Sequence, residues 1–134
     1  MPAEHERVVR AYVEAFNRGD VDGVVACFAP DAVIQGVLGS GPLAVARPIW
    51  EDLVRCFGMQ LTVEAMLSAG DEVAVRFRER GVSKASFRGG PVTGRAYEGV
   101  AMEWFEVGDG RIRRRWAARD GASIFRQMGL PSPS

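Results

Sequence analysis

Apolar residues in the first half of the chain recur every three or four positions, the period of helices that bury one face. This spacing predicts a helix over residues 4–18, a second, shorter helix capped by Asp20, and a third that begins near Pro48. Proline costs about 3 kcal/mol inside a helix but little in its first turn, so residues 42–47 are expected to form a separate turn. The inner faces of these helices carry Val8, Val9, Tyr12, Val13 and Phe16; Val21, Val24, Val25 and Phe28; and Ala46, Ile49, Trp50, Leu53, Val54 and Phe57.

The apolar period shortens to two in the second half, which is typical of strands. A short strand is predicted over residues 32–36 after the second helix. Glycines then favour a loop up to Pro42. Longer strands are predicted over residues 61–68, 73–78, 97–107 and 111–120, with a loop over 81–94 and a final helix over 122–128. Residues 131–134 are expected to form a disordered tail. Helices followed by strands indicate one α+β domain over residues 1–134, in which the helices pack on the concave side of a curved, mostly antiparallel sheet.

The charge balance argues against large polyanionic partners. The chain has 17 basic and 17 acidic side chains, so no overall field attracts nucleic acid or an anionic membrane, and no apolar run approaches the length of a membrane span. We expect a small, weakly charged ligand. Cys27 and Cys56 lack the spacing of metal ligands, and we interpret them as buried, reduced thiols of a cytoplasmic protein.

Asp120 is the candidate catalytic residue, because it ends a predicted strand and precedes the last helix. Strand side chains alternate between faces, so Trp116 and Asp120 share a face and are predicted to point into the same space. An acid beside an indole could hold a flat organic molecule and move a proton on it. Asp is also a favoured helix cap, and capping alone would explain this residue.

Large aromatic and thioether side chains supply the candidate pocket wall, although each of them would equally suit a packed core. Gln35 is a candidate hydrogen-bond partner for a ligand, with solvent exposure as the alternative. The remaining candidate substrate-binding residues are Tyr12, Phe16, Trp50, Phe57, Met59, Met102, Trp104 and Trp116. The arginine-rich run at residues 111–119 is interpreted as a solvated sheet face or a subunit contact, since alternation turns most of it away from Trp116.

Several segments resemble the SnoaL-like polyketide cyclases of the nuclear-transport-factor-2-like superfamily, from about Val8 to Leu130. Three place the chain in the superfamily: Tyr-Val-Glu-Ala-Phe-Asn-Arg-Gly-Asp at 12–20, Ala-Pro-Asp-Ala-Val at 29–33 and Gly-Asp-Glu-Val-Ala-Val-Arg-Phe at 70–77. Four more resemble the cyclase branch: Gly-Gly-Pro-Val-Thr-Gly-Arg at 89–95, Gly-Asp-Gly-Arg-Ile at 108–112, Trp116 with Asp120, and Phe-Arg-Gln-Met-Gly at 125–129.

This resemblance implies a cone-shaped α+β barrel with a deep apolar pocket, no metal and no organic cofactor. It also implies that Asp120 is the general acid/base of an intramolecular aldol closure of a polyketide ester, and that the chain forms homodimers or homotetramers through the outer sheet face. The chain departs from the family at Ser83 and Arg115, where relatives often carry histidine. A hydroxylase or isomerase acting on a related polycyclic substrate, and a non-catalytic binding or dimerisation domain, are therefore the alternatives.

Overall fold

The computed structural model describes residues 2–36 and 39–132, which form helices and strands in an order close to the predicted one. The elements are α1 (Pro2–Asn17), α2 (Val21–Ala26), β1 (Phe28–Gly36), β2 (Gly39–Gly41), α3 (Leu43–Phe57), β3 (Gln60–Ala69), β4 (Glu72–Val82), β5 (Ala96–Gly108), β6 (Arg111–Arg119) and α4 (Gly121–Met128). Asp20 caps α2 as predicted, since its carboxylate accepts a hydrogen bond from the Gly23 N–H at 2.9 Å. Residues 131–132 lie outside these elements, and the tail prediction for residues 133–134 falls outside the described part of the chain.

The strands form a single six-stranded sheet in the order β2-β1-β6-β5-β4-β3. All neighbouring pairs are antiparallel except β1 and β6, which run parallel. Helix α1 packs against β3, β4, β5 and β6, while α3 packs against β1, β2 and β4, so the sheet curls around the helices. The predicted α+β fold with N-terminal helices on one face of a mostly antiparallel sheet is therefore confirmed.

The chain enters the sheet earlier than the apolar pattern predicted. Helix α2 ends at Ala26, and Phe28, which the pattern placed on that helix, is the first residue of β1. Pro30 lies where the β1–β6 ladder is irregular, between Phe28 and Val33, and a proline is tolerated there because no ladder hydrogen bond is lost. The predicted loop after β1 also contains a short strand, β2, which pairs with the end of β1.

Helix α3 starts at Leu43, so the prediction of a separate turn over residues 42–47 is wrong. Pro48 lies inside the helix, where it removes the hydrogen bond that its N–H would have donated to the Ala44 carbonyl and brings its ring against that carbonyl. Burial of Ala46 and Trp50 on the face that packs inward outweighs this local cost.

A β-bulge in β6 decides which side chains point inward. Val107 pairs with Ile112 but Glu106 pairs with Arg114, so Arg113 is an extra residue without a partner in the ladder. Strict alternation from the buried Ile112 would turn Trp116 inward. The bulge shifts the alternation by one residue, and Arg115 is the buried side chain instead.

Candidate functional site

A cavity of about 150 Å³ lies between the helix-facing side of the sheet and α3. Its wall is mostly apolar and comes from α1, β1, α3, the segment after α3, the loop between β4 and β5, and α4. Large side chains on this wall include Phe16, Ile34, Trp50, Phe57, Met59 and Phe125. Apolar walls with a few polar groups are the usual composition of a small-molecule pocket.

Four charged side chains and one phenol form the polar part of the cavity wall, namely Glu79, Glu103, Arg115, Arg119 and Tyr97. Arg119 joins the two carboxylates, with its Nε 2.7 Å from Glu79 Oε1 and its Nη2 donating to Glu103 Oε2 at 2.9 Å. Arg115 Nη1 lies 3.5 Å from Glu103 Oε1. Glu79 and Glu103 are each only 3% exposed, so this is a buried ion network with two positive and two negative groups.

Two tyrosines complete the network, one on each glutamate. The Tyr12 hydroxyl donates to Glu103 Oε1 at 2.7 Å and accepts from Arg115 Nη1 at 2.9 Å. The Tyr97 hydroxyl donates to Glu79 Oε2 at 2.7 Å. Because buried charges are costly unless they are paired and hydrogen-bonded, these phenols help to hold the carboxylates in place.

The network keeps its tyrosines protonated and its arginines charged. Burial raises the pKa of Tyr12 well above its ordinary value; the Glu103 carboxylate adds to this rise and Arg115 opposes it. Burial and the nearby Glu79 raise the pKa of Tyr97 in the same way. Burial acts to lower the pKa of Arg119, but the charges of Glu79 and Glu103 outweigh it, and the net pKa is raised. The phenols are therefore hydrogen-bond donors at neutral pH, and the guanidiniums are fixed cations.

Arg115 lies at the junction of the polar and apolar walls. Its guanidinium carbon is 5.7 Å from the centre of the Trp50 ring, close enough for a cation–π contact. Its Nε is buried, and none of the side chains or backbone groups in residues 2–36 and 39–132 forms a hydrogen bond with it. A Cβ added at Gly36 would lie 3.3 Å from Arg115 Nη2, so the glycine leaves room beside this guanidinium.

One carboxylate oxygen of Glu79 has a charged neighbour but no aligned hydrogen bond among the described residues. Glu79 Oε1 and Arg119 Nε are only 2.7 Å apart, yet neither atom makes an aligned hydrogen bond. The two atoms attract each other by charge, but the N–H does not point along the line that joins them. Glu79 Oε1 is therefore a buried carboxylate oxygen whose one close charged neighbour, Arg119 Nε, is not aligned to donate to it.

The structure brings five of the predicted residues to this cavity. Phe16, Trp50, Phe57 and Met59 line it. Tyr12 lies behind the wall, fully buried, with its hydroxyl on Glu103 and Arg115. The apolar periodicity of α1 and α3 identified all of these residues except Met59, which follows α3.

The other predicted binding residues lie on the opposite side of the sheet. Gln35, Met102, Trp104 and Trp116 line a shallow depression on the outer face, so the expectation that they share the inner space is wrong. Trp104 and Trp116 are register partners on β5 and β6, and Trp104 is 48% exposed. The bulge at Arg113 explains why Trp116 does not point into the cavity, since it turns this side chain to the outer face of the sheet.

Asp120 caps α4 at the surface. Its Oδ1 accepts a hydrogen bond from the Ser123 N–H at 3.0 Å, and its side chain is exposed. It does not line the cavity, although the next residue, Gly121, does. The expected contact between the Asp120 carboxylate and a buried Trp116 is therefore absent, and the catalytic role of Asp120 stays a prediction.

The polar residues of the cavity were missed, although the sequence contains a signal for two of them. Glu79 continues the inward-facing alternation of Val73, Val75 and Phe77, and Glu103 lies between the inward-facing Ala101 and Phe105. A charged residue on the apolar face of a strand is unusual enough to mark a site. Arg115 and Arg119 carried no such signal. Their interpretation as a solvated face was wrong because the bulge turns both inward.

Within residues 2–36 and 39–132, no cluster of three or more histidine, cysteine, aspartate or glutamate side chains is arranged to hold a metal ion. In the same part of the chain, no helix has both the length and the apolar character that crossing a membrane requires. Cys27 and Cys56 are both free thiols, Cys27 half-buried and Cys56 buried.

An α+β domain whose sheet and helices enclose an apolar cavity with a few convergent polar groups has the architecture of a small-molecule-binding domain. Residues 9–115 match the SnoaL-like domain family, and the chain belongs to that family, which confirms the resemblance drawn from the motifs. It is 26% identical over 133 residues to aklanonic acid methyl ester cyclase DauD from Streptomyces sp. (strain C5), covering 95% of this chain and 83% of DauD.

Solved structures share the whole fold. IdmH from Streptomyces antibioticus, whose proposed activity is that of a polyketide cyclase, is 29% identical with a TM-score of 0.82 over 94% of this chain and 99% of IdmH. AclR from Streptomyces galilaeus, whose proposed activity is that of a hydroxylase, is 24% identical with a TM-score of 0.87 over 98% of this chain and 100% of AclR. At that identity, the likeness to AclR shows the fold alone. The chain is thus a distant homologue of polyketide cyclases.

Proposed function

We propose that this protein is a cofactor-independent, cyclase-like enzyme that closes a ring in a polyketide-type ester by an intramolecular aldol reaction. The observation that carries the proposal is the apolar cavity whose buried end holds two carboxylates and two guanidiniums. DauD and, from Streptomyces peucetius, DnrD are both aklanonic acid methyl ester cyclases, and the likeness of this chain to them supports the substrate class.

The reaction needs a base and a site for developing negative charge. Removal of a proton from a carbon next to a carbonyl gives an enolate, which attacks a second carbonyl carbon of the same molecule and leaves an alkoxide to be protonated. Glu79 is suited to take the first proton because its side chain lines the cavity and one of its carboxylate oxygens makes no aligned hydrogen bond. Arg115 and Arg119 are suited to stabilise the enolate and alkoxide oxygens. No electrons are gained or lost, so the step requires no redox cofactor.

Asp120 is the second candidate for the acid/base, on the strength of the family resemblance. Its neighbour Gly121 lines the cavity, so a role for Asp120 requires a change of side-chain rotamer that brings its carboxylate to the substrate. In the described arrangement, however, its carboxylate is exposed and caps α4. Glu79 is therefore the acid/base that the geometry favours.

Two matched amide variants separate these candidates in an assay that follows conversion of aklanonic acid methyl ester. Glu79→Gln is expected to lower turnover by about 10²- to 10⁴-fold, the usual contribution of a general base. Asp120→Asn is expected to keep both turnover and stability, because asparagine caps helices as well as aspartate does. The opposite pattern would assign the proton transfer to Asp120, and no conversion by the wild type would contradict the proposed reaction.

Two other activities remain as outcomes of the same assay. A hydroxylase would consume oxygen as the polycyclic substrate disappears, whereas a cyclase would convert it equally well without oxygen. A binding module would hold the substrate without turnover in either the wild type or the Asp120→Asn variant. We also propose a cytoplasmic location, which the two free thiols favour.

We further propose that two copies of the chain pair through the outer sheet face, as a homodimer or within a homotetramer. Leu67, Met102 and Trp104 are exposed there and adjacent across β3, β4 and β5, and exposed apolar patches usually mark interfaces. Leu67→Lys is expected to shift a dimer to monomers in sedimentation velocity. Val92→Lys is the control, because Val92 is exposed on the loop between β4 and β5. A monomeric wild type would contradict the pairing.

A further inference from the structure

We propose that the substrate enters the cavity end-on: one carbonyl-bearing ring is enclosed against Arg115, and the remaining rings project out beside β2 and the start of α3. The inference rests on the proposed use of this cavity as the substrate site. It deepens that proposal by stating which part of a polycyclic molecule the protein encloses.

The size of the cavity sets the first limit. A cavity of about 150 Å³ engineered in another protein holds one benzene molecule. The present cavity has the same volume, about 150 Å³. A molecule of several fused rings exceeds this volume, and we expect one ring to lie between the apolar walls.

The exposure of the lining residues shows where the cavity opens. Gly39, Ser40 and Val45 line it and are exposed to solvent, whereas Glu79, Glu103 and Arg115 at the other end are buried. A flat ring that enters from β2 therefore meets the charged groups at its far end, and the rest of the molecule leaves past Val45.

The charge of the buried end selects the kind of oxygen that binds there. With both glutamates ionised, the two carboxylates and two guanidiniums cancel, so an additional anion would be buried without its own counterion, which is costly. Arg115 lines this end of the cavity, and the missing side chain at Gly36 leaves its Nη2 uncovered on that side. A neutral ketone or ester carbonyl can accept a hydrogen bond there without adding charge.

Direct binding of three probes tests this arrangement. By calorimetry, acetophenone and 2-acetylanthracene are both expected to bind and to compete with each other, because both place the same ring and carbonyl in the cavity. Benzoate has the same ring but carries a charge, and it is expected to bind at least about tenfold more weakly than acetophenone. Benzoate binding as tightly as acetophenone would overturn the role assigned to the neutral carbonyl.

A bulky side chain at the opening then separates end-on entry from full enclosure. Val45→Trp should weaken 2-acetylanthracene by about tenfold or more, because its outer rings meet the indole, and should change acetophenone by less than about twofold. Val92→Trp is the matched control at an exposed valine away from the cavity, and neither affinity should change. Equal effects of Val45→Trp on both probes, or none on either, would overturn end-on entry.

These binding measurements do not depend on turnover. If the probes behave as expected and aklanonic acid methyl ester is not converted, only the proposed reaction fails. If the ester is converted but Val45→Trp leaves 2-acetylanthracene binding unchanged, the reaction stands and end-on entry fails.

Discussion

Tyr12 and Tyr97 each place a phenol on a buried glutamate, but they have different numbers of charged partners. Tyr12 bonds to both Glu103 and Arg115, whereas the Tyr97 hydroxyl bonds, within residues 2–36 and 39–132, to the side chain of Glu79 alone. A hydrogen bond to a charged group contributes about 1.5–3 kcal/mol to stability. A charged group that is left without its hydrogen bond destabilises the fold more when it is buried than when it is exposed. The two phenols are therefore unequal in their importance for stability.

Replacing each tyrosine with phenylalanine measures this difference. Tyr12→Phe is expected to lower the free energy of unfolding by about 3 kcal/mol or more and Tyr97→Phe by about half as much, because two charged partners are affected in one variant and one in the other. Urea denaturation of both variants provides the comparison. Equal losses of unfolding free energy in the two variants would contradict the idea that Tyr12 supports two charged partners and Tyr97 only one.

Residue type alone could predict part of the site. The apolar period of α1 and α3 predicted Phe16, Trp50 and Phe57, and the same period places them against the cavity. Met59 follows α3 and also lines the cavity. Asp120 was a prominent acid in the sequence because it stands between a strand and a helix, yet that position also makes it a helix cap. Local context cannot separate a cap from an acid, since both use the same carboxylate oxygen.

At the scale of elements, α3 shows how packing overrides local preference. Pro48 interrupts its hydrogen-bond ladder, but the helix continues through it from Leu43 to Phe57. Trp50 contributes to this outcome, because its ring packs against two aromatic rings of the core. The centre of the Trp50 ring is 5.8 Å from that of Phe16 and 5.3 Å from that of Phe28. The helix therefore carries a local cost that a substitution can remove.

Pro48→Ala should raise the free energy of unfolding by about 1–3 kcal/mol, since it restores an N–H donor at an exposed position of the helix and removes the clash of the ring. Urea denaturation and far-UV circular dichroism provide the measurement, with Pro131→Ala outside the helices and strands as the control. A loss of stability would show that the proline conformation is required by the surrounding turn.

At the scale of the whole molecule, the cavity exists only because distant parts of the chain converge. Glu79, Glu103 and Arg119 come from β4, β5 and β6, while Trp50 comes from α3. Their burial couples the stability of the fold to pH, because both tyrosines of the chain have a pKa raised above the ordinary value of 10.0.

Alkaline titration should expose this coupling. Above pH 10, tyrosines ionise in the unfolded chain while Tyr12 and Tyr97 stay protonated in the fold. The unfolded state then binds fewer protons, and stability falls as pH rises by up to about 1.4 kcal/mol per pH unit for each tyrosine. Burial also raises the pKa of Cys27 and Cys56, and this adds a loss of the same sign from about pH 9.0 upward.

The contribution of Tyr12 is isolated by comparison with Tyr12→Phe. Urea denaturation between pH 8 and pH 11 should give a shallower decline for the variant, with about half of the tyrosine-dependent slope removed. The cysteine contribution is common to both proteins and cancels. Parallel curves for the two proteins would contradict a raised pKa at Tyr12.

The local period of apolar residues was sufficient to determine the fold class and the order of most elements, because helices and strands bury one face at spacings that the chain itself displays. Which face of β6 points inward was decided only in three dimensions. One unpaired residue, Arg113, shifts the alternation so that Arg115 and Arg119 enter the cavity and Trp116 leaves it. Such a bulge depends on how β6 pairs with β5, and a residue pattern along one strand contains no information about its partner.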